Sequence, residues 1–428
     1  MLARSFFGYA KPAYRYELLS TTLPQPIAVP AAESITLLLP REMGITPSEI
    51  IKVGAKVKTG QRLSWDDQPG PTVVSTVTGT IRKVAAYVGD YNKKFTAITI
   101  DPDGNEELDD QFPAACDSIT PRVLSDFLSS APGGGQLEKL LDGDKPIETI
   151  IIYGGDTDLL VETNLYILKD QTHAVNQGIK ALKDATGIEK VVVVVPAESF
   201  QNFDGHFAAD VKAVPAAYPG AQPLMILYQL TGQLLSQGQS FEDLGMLFIR
   251  AEAVASIGKA VESQRIPTDK ILTVVDQNGN KNLVSAPLGT TVGSVLRKLK
   301  IEVNDGDRII FGGPMTGTAI YSEDQPIAPD SDAIMVQHHE EIVFSTDYPC
   351  INCGECTRIC PSKVQVHMLE RFLEVGQFQE GADLYDLYSC VECGLCSYVC
   401  PSRIPILQYI KLAKYELASA IPAEEENE

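Results

Sequence analysis

Two stretches decide the reading: Cys350-Ile-Asn-Cys353-Gly-Glu-Cys356-Thr-Arg-Ile-Cys360-Pro361 and Cys390-Val-Glu-Cys393-Gly-Leu-Cys396-Ser-Tyr-Val-Cys400-Pro401. Both read C-x2-C-x2-C-x3-C-P. Eight of the nine cysteines fall in this repeat, while Cys116 stands alone in the polar connector FPAACDS and reads as an ordinary thiol. Three thiols crowded into seven residues, with a fourth trailing before a proline, make a shell for an inorganic group. Zinc normally takes two spaced pairs rather than two tight triplets. Disulfides need an oxidising compartment, and nothing else in the chain points to one. Residues 1–15 lack an apolar stretch of secretory length and are interrupted by Lys11, so no signal peptide is expected.

The spacing is that of bacterial proteins holding two [4Fe–4S] clusters, in which the fourth cysteine of each motif ligates the other cluster. The expected metal ligands are therefore Cys350, Cys353, Cys356 and Cys400 for one cluster, and Cys390, Cys393, Cys396 and Cys360 for the other. Gly354 and Gly394 let the backbone approach the sulfurs and turn N–H groups toward them. Pro361 and Pro401 suit the first turn of a following helix. His367, on the helical stretch VQVHMLERFLEV between the copies, reads as a packing residue, and His338-His339 as a polar loop.

Outward from the repeat, the chain has 428 residues, enough for two to four domains. Its 35 basic and 56 acidic residues leave a net charge of −21, which argues against nucleic acid and anionic lipid as partners. The apolar run Val191–Ala197 is far short of the roughly 20 residues that span a bilayer, so no direct membrane insertion is expected.

The expected fold class is multidomain α+β. Residues 1–27 are irregular and read as an arm over a neighbouring domain or partner. Residues 28–105 carry short apolar runs (Ile35–Leu39, Ile50–Val53, Val73–Val77, Phe95–Ile100) between turn residues, which suits a small barrel or sandwich. IKVGAKVKTGQRL (51–63) and STVTGTIRKV (75–84) resemble a biotinyl-type barrel-sandwich hybrid, with Gly54, Gly60 and Gly79 in turns of positive φ. Val74–Thr80 holds no lysine, so a structural barrel is expected rather than a swinging-arm carrier.

Residues 118–250 read as α/β: a helix at Arg122–Leu128, the Gly-rich turn APGGGQLEKLL (131–141) into a helix, the strand ETIIIY (148–153), and a long amphipathic segment from Leu159 to Ala185. The buried strand KVVVVVPA (190–197) and a helix over Gln222–Gly232 follow. Residues 253–343 read as a β-grasp (SLBB-like) domain that opens with a helix over 253–266 and has a hairpin at Asn278-Gly279. Residues 346–420 form the dicluster ferredoxin-like unit, and 421–428 an acidic, disordered tail.

This order resembles the RnfC family, the C components of the Rnf complexes, which are ion-translocating membrane oxidoreductases. VGAKVKTGQ (53–61), YPGAQPLMILYQLTG (218–232), FGGPMTG (311–317) and PSRIPILQYIKLAK (401–414) carry the likeness beside the cysteine motifs. The resemblance implies an electron-transfer subunit on the cytoplasmic side, peripheral through other subunits of the complex and exchanging electrons with a protein redox partner. It implies no catalytic residue of the chain's own.

Members of that family hold FMN in a loop resembling G-x-G-G-A-G-F-P-T. Here Ala131-Pro132-Gly133-Gly134-Gly135-Gln136-Leu137 lacks the Phe-Pro-Thr, and Tyr153–Leu160 keeps only Asp156 and Asp158 of an acid-rich segment. Two readings stand. Gly133, Gly134, Gly135 and Asp156 form a degenerate cofactor site, or they form a tight turn and a surface turn or helix cap with no ligand. The departures imply that FMN is absent or weakly bound. Two other function classes share the layout: a soluble flavin and iron–sulfur reductase, and a non-catalytic assembly subunit that carries clusters.

Overall fold

The computed structural model describes residues 14–16, 23–40, 51–65, 71–89, 93–116, 118–236, 238–346 and 348–425. Most of the expected arm, Ile50 and the last three residues lie outside them.

Alternating apolar residues build the barrel-sandwich. Strands Ile35–Pro40, Lys94–Pro102, Gly79–Val88 and Lys56–Val57 pair in that order, all antiparallel, beside a smaller pair, Arg62–Ser64 with Thr72–Val74. Ile35, Leu37, Leu39, Ile81, Ile98 and Ile100 point to one face and close the core over Trp65, whose Nε1 donates to the Pro40 carbonyl at 2.9 Å. Gly54 and Gly60 have positive φ as expected, but Gly79 does not. It starts a strand, and a Cβ there would sit 2.2 Å from the Asp101 carbonyl oxygen. Close strand approach, not a turn, demands that glycine.

The α/β unit is a parallel sheet in the order Asp210–Val214, Lys190–Pro196, Thr149–Tyr153, Met246–Arg250. Lys190–Pro196 and Thr149–Tyr153 are the expected strands; Asp210–Val214 and Met246–Arg250 were not expected. The chain adds strands to one side of Thr149–Tyr153 and then crosses to the other, so a switch point lies between the carboxyl ends of Thr149–Tyr153 and Met246–Arg250. The expected long helix is two, Thr163–Asp170 and Thr172–Thr186, divided at Gln171. In the first, Thr163 through Leu168 are all buried, so it is a core helix rather than an amphipathic one. The Gly-rich turn leads into a short 3₁₀ helix, Leu137–Leu141.

The β-grasp unit follows helix Ala251–Ser263. Its sheet runs Ile27–Ala28, Lys281–Pro287, Asp269–Val275, Ala333–Gln337, Arg308–Phe311, Thr318–Ile320, with helix Val292–Leu299 packed on it through Val292, Val295 and Leu296. The end of the arm is therefore the edge strand of this sheet, pairing Ile27 with Val284.

The cysteine-bearing unit is helical: Glu355–Ile359, Val366–Glu374, Phe378–Tyr385, Leu395–Tyr398 and Ile406–Glu425. The last helix runs into the segment expected to be disordered.

Candidate metal centre

The two cysteine loops share one backbone path. Asn352 and Glu392, Gly354 and Gly394, and Lys363 and Arg403 occupy equivalent places, and all six have φ between 53° and 73°. Non-glycine residues in this region are strained, and strain repeated at matching places marks a conformation that the loops must adopt. Successive turns of this kind aim backbone N–H groups into the loop. Cys356 and Cys396 lie in the short helices Glu355–Ile359 and Leu395–Tyr398. Cys360 caps the end of its helix rather than opening the next one. Pro361 and Pro401 lie in turns, because the left-handed residues Lys363 and Arg403 delay the following helices to Val366 and Ile406.

The loops enclose two cavities. The first is lined by Cys350, Cys353, Cys356 and Cys400, with His367 and Glu370 on its wall. The second is lined by Cys390, Cys393, Cys396 and Cys360, closed by Val366, Leu407 and Ile410. Each triplet thus meets the trailing cysteine of the other motif. A single tetrahedral metal with bonds of about 2.3 Å needs sulfurs about 3.8 Å apart. Among the described residues no three cysteine sulfurs lie within even 4.8 Å of one another.

Burial pushes the thiols of Cys356 and Cys390 up to about 11 and that of Cys393 up to about 12, and raises Cys396 as well. Ligation requires thiolates, so a bound cation must drive their deprotonation. Lys414 adds a positive charge beside the second cavity: its Nζ donates to the Cys390 carbonyl and to Glu392, both at 2.8 Å.

The cavities differ in surroundings although their motifs match. Cys353 is exposed, and a Cβ on Gly354 would meet nothing within 4 Å. Cys393 is buried, and a Cβ on Gly394 would lie 2.3 Å from the Met315 carbonyl oxygen. Asp158 fixes that covering loop. Its carboxylate accepts from Met315 N at 3.2 Å, Thr316 N at 2.8 Å and Thr316 Oγ1 at 2.7 Å. Lys411 Nζ donates to the Thr316 carbonyl at 3.0 Å. Tyr218 Oη donates to the Cys393 carbonyl at 2.7 Å, and Tyr16, from the arm, packs edge-on against Tyr218 at 5.6 Å. The second cavity is thus sealed by the arm, the α/β unit and the β-grasp unit together.

At the switch point of the parallel sheet, the glycine-rich loop turns its polar groups on the chain itself. Gly133 N donates to the Pro329 carbonyl at 2.8 Å, Gly134 N to Ala131 at 3.0 Å and Gly135 N to Ser129 at 3.3 Å. A Cβ on Gly133 would lie 2.2 Å from Ala253 N, so its glycine serves close packing on helix Ala251–Ser263. Arg250 pairs with Asp332 and donates to the Asp330 carbonyl. Lys270, with no exposed side-chain surface, pairs with Glu252 and lies 3.5 Å from Asp332. Asp156 accepts from Asn164 N at 2.8 Å and from Leu165 N at 3.4 Å, which caps helix Thr163–Asp170; burial pushes its carboxyl up to about 8. The segment Pro329–Asp332 thus takes the Gly133 N–H and the Arg250 guanidinium, while Gly134 and Gly135 bond within their own turn.

Residues 15–105 match the RnfC barrel sandwich hybrid domain, and residues 349–404 match the 4Fe-4S dicluster domain. Over 411 residues the sequence is 26% identical to the C subunit of the ion-translocating oxidoreductase complex of Pectobacterium carotovorum, covering 91% of this chain and 54% of that one. The chain is RnfC-like. It is also 24% identical over 419 residues to the C subunit of the proton-translocating ferredoxin:NAD(+) oxidoreductase complex of Clostridium ljungdahlii, covering 93% of this RnfC-like chain and 92% of that one. It spans about half the length of the first curated relatives that it matches, 54%, 46% and 51% of theirs. Against solved structures, an NAD+-reducing [NiFe]-hydrogenase in the H2-reduced state aligns at a TM-score of 0.45 with 11% identity, over 72% of this chain and 61% of that chain; a likeness this loose carries no argument.

In this RnfC-like chain the supports of the second cavity, Tyr16, Asp158, Tyr218 and Met315, were not singled out for that role from sequence. The FGGPMTG segment was the available signal for Met315, since so glycine-rich a strand exit marks a close backbone approach. His367 stands on the wall of the first cavity, with Nδ1 3.1 Å from Thr357 Oγ1.

Proposed function

We propose that this chain is the iron–sulfur electron-transfer subunit of an Rnf-type ion-translocating oxidoreductase. It relays single electrons through two [4Fe–4S] clusters on the cytoplasmic side of the membrane. The observation that carries the reading is the crossed lining of the two cavities: Cys350, Cys353, Cys356 and Cys400 would hold one cluster, and Cys390, Cys393, Cys396 and Cys360 the other. Such clusters, when bound, supply one-electron transfer at potentials set by hydrogen bonding and solvent exposure.

The chain's own residues divide the work. The left-handed residues turn backbone N–H groups into the loops, and Glu392 N donates to Cys390 Sγ at 3.4 Å. Met315 and Tyr218 exclude water from the second cavity, and Asp158 keeps Met315 in place. The first cavity opens to the surface at Cys353, which leaves room for a protein redox partner to approach. Because Gly133, Gly134, Gly135 and Asp156 are engaged by the chain, electrons enter from that partner or from another subunit rather than from NADH through a bound flavin. Among the described residues no helix is long and apolar enough to cross a membrane, which agrees with attachment through partner subunits.

The test is cofactor analysis of anaerobically purified protein, followed by mixing with NADH. The expected result is about eight iron atoms per chain, no stoichiometric FMN, and no bleaching of the cluster absorbance by NADH. About one zinc per motif without a reduced-cluster EPR signal would overturn the cluster assignment. Stoichiometric FMN with rapid bleaching would overturn the electron-entry assignment.

A further inference from the structure

We propose that Asp307, His338 and His339 form a binding site for one divalent transition-metal ion of the zinc, nickel or copper type, separate from the cysteine cavities. Strands Arg308–Phe311 and Ala333–Gln337 are antiparallel neighbours with Arg308 opposite Gln337. The residue before the first strand and the two after the second are therefore brought to the same end of the sheet. A sequence reading of His338-His339 as a polar loop could not see this, because the carboxylate arrives from 31 residues away.

One donor is fixed in advance. Asp307 accepts from Asn304 N at 2.9 Å on one carboxylate oxygen and from His339 N at 2.9 Å on the other. These N–H groups fix the orientation of its carboxyl group. The two imidazoles lie on one side of the chain, with ring centroids 4.2 Å apart and planes 40° apart, although neighbours in an extended strand would point to opposite faces. One donor atom from each of the three side chains lies within 4.8 Å of the others. His339 Nδ1 is 3.2 Å from the Asp307 oxygen. An ion bonded to both at about 2.1 Å would subtend about 100° across that gap, between the octahedral and tetrahedral angles. Two imidazoles and one carboxylate suit zinc, nickel or copper, whereas calcium and magnesium prefer oxygen alone.

Each histidine would bind the ion through the lone pair of a neutral ring nitrogen and keep its N–H on the other; no electron moves, and water completes the coordination. The ion would clip two strand ends just before the chain passes, through Thr346 N bonded to the Arg403 carbonyl at 3.1 Å, into the first cysteine motif.

The test adds zinc chloride to cluster-loaded protein under anaerobic conditions. Zinc retained after equilibrium dialysis is measured while the cluster absorbance is followed. One zinc per chain beyond the cluster iron is expected, with affinity at least tenfold weaker in His338→Gln and in Asp307→Asn. His338→Gln changes a side chain outside the core, so it separates loss of a ligand from loss of the fold. Equal zinc binding by parent and variants, no retained zinc, or zinc uptake that tracks loss of cluster absorbance would each overturn the proposal.

Discussion

Adding one methyl group at Gly394 and, separately, at Gly354 tests the unequal surroundings of the two cavities. Both glycines have φ of +73° and open equivalent short helices, so alanine at either site meets the same left-handed penalty, about 1–2 kcal/mol. The remainder is contact. At Gly354 a Cβ meets nothing within 4 Å, whereas at Gly394 it would lie 2.3 Å from the Met315 carbonyl oxygen and 3.2 Å from its carbon. The obstacle is backbone tied down by Asp158, so it cannot swing aside, and overpacking of this kind costs about 1–3 kcal/mol more. For a unit of this size each kcal/mol lowers the melting temperature by about 4–8 °C. Gly394→Ala should therefore release its clusters at least about 4 °C below Gly354→Ala, and only the former should broaden the EPR signal of the second cluster. Equal melting temperatures, with both signals unchanged, would refute the account of Met315 as the seal over the second cavity.

Other consequences concern the switch point. The carboxyl of Asp156 is pushed from 3.8 to about 8, so the folded chain keeps a proton that the unfolded chain gives up between those values. The stability this group contributes is full below about pH 4 and is lost as the pH rises toward 8. The stability gap between the parent and Asp156→Asn should thus narrow with rising pH, as read from urea midpoints at pH 5 and pH 8; a constant or widening gap would count against it. Glu252→Gln leaves the buried ammonium of Lys270 short of its main partner and should cost roughly 3–5 kcal/mol, whereas replacing the pair together, Glu252→Leu with Lys270→Met, should be close to neutral in the same denaturation assay.

The parts of this molecule legible in its sequence are those governed by local rules. Cysteine spacing is such a rule, and so is the Asn278-Gly279 hairpin, whose Gly279 has φ of +78°. The break at Gln171 was not legible, because neither proline nor glycine marks it and the apolar pattern runs on through both helices. Asp156 and Asp158 show how far from its motif a residue's partner can lie. Their retention suggested a site, yet Asp156 caps a helix and Asp158 bonds Met315, 157 residues away. The glycines of the 133–135 turn are likewise visible in sequence, but the Pro329 carbonyl that takes the Gly133 N–H comes from another unit of the fold. Contacts across such separations follow from tertiary packing, which no local pattern encodes. The same holds for Tyr16, whose position over Tyr218 depends on where the arm is laid down.

The central claim is that each cluster draws its fourth cysteine from the opposite motif. EPR spectra of the reduced protein, taken for Cys350→Ser, Cys400→Ser, Cys390→Ser and Cys360→Ser, test it most directly. The account predicts that Cys400→Ser perturbs the same signal as Cys350→Ser, and that Cys360→Ser perturbs the same signal as Cys390→Ser. Pairing of Cys360→Ser with Cys350→Ser, and of Cys400→Ser with Cys390→Ser, would contradict it.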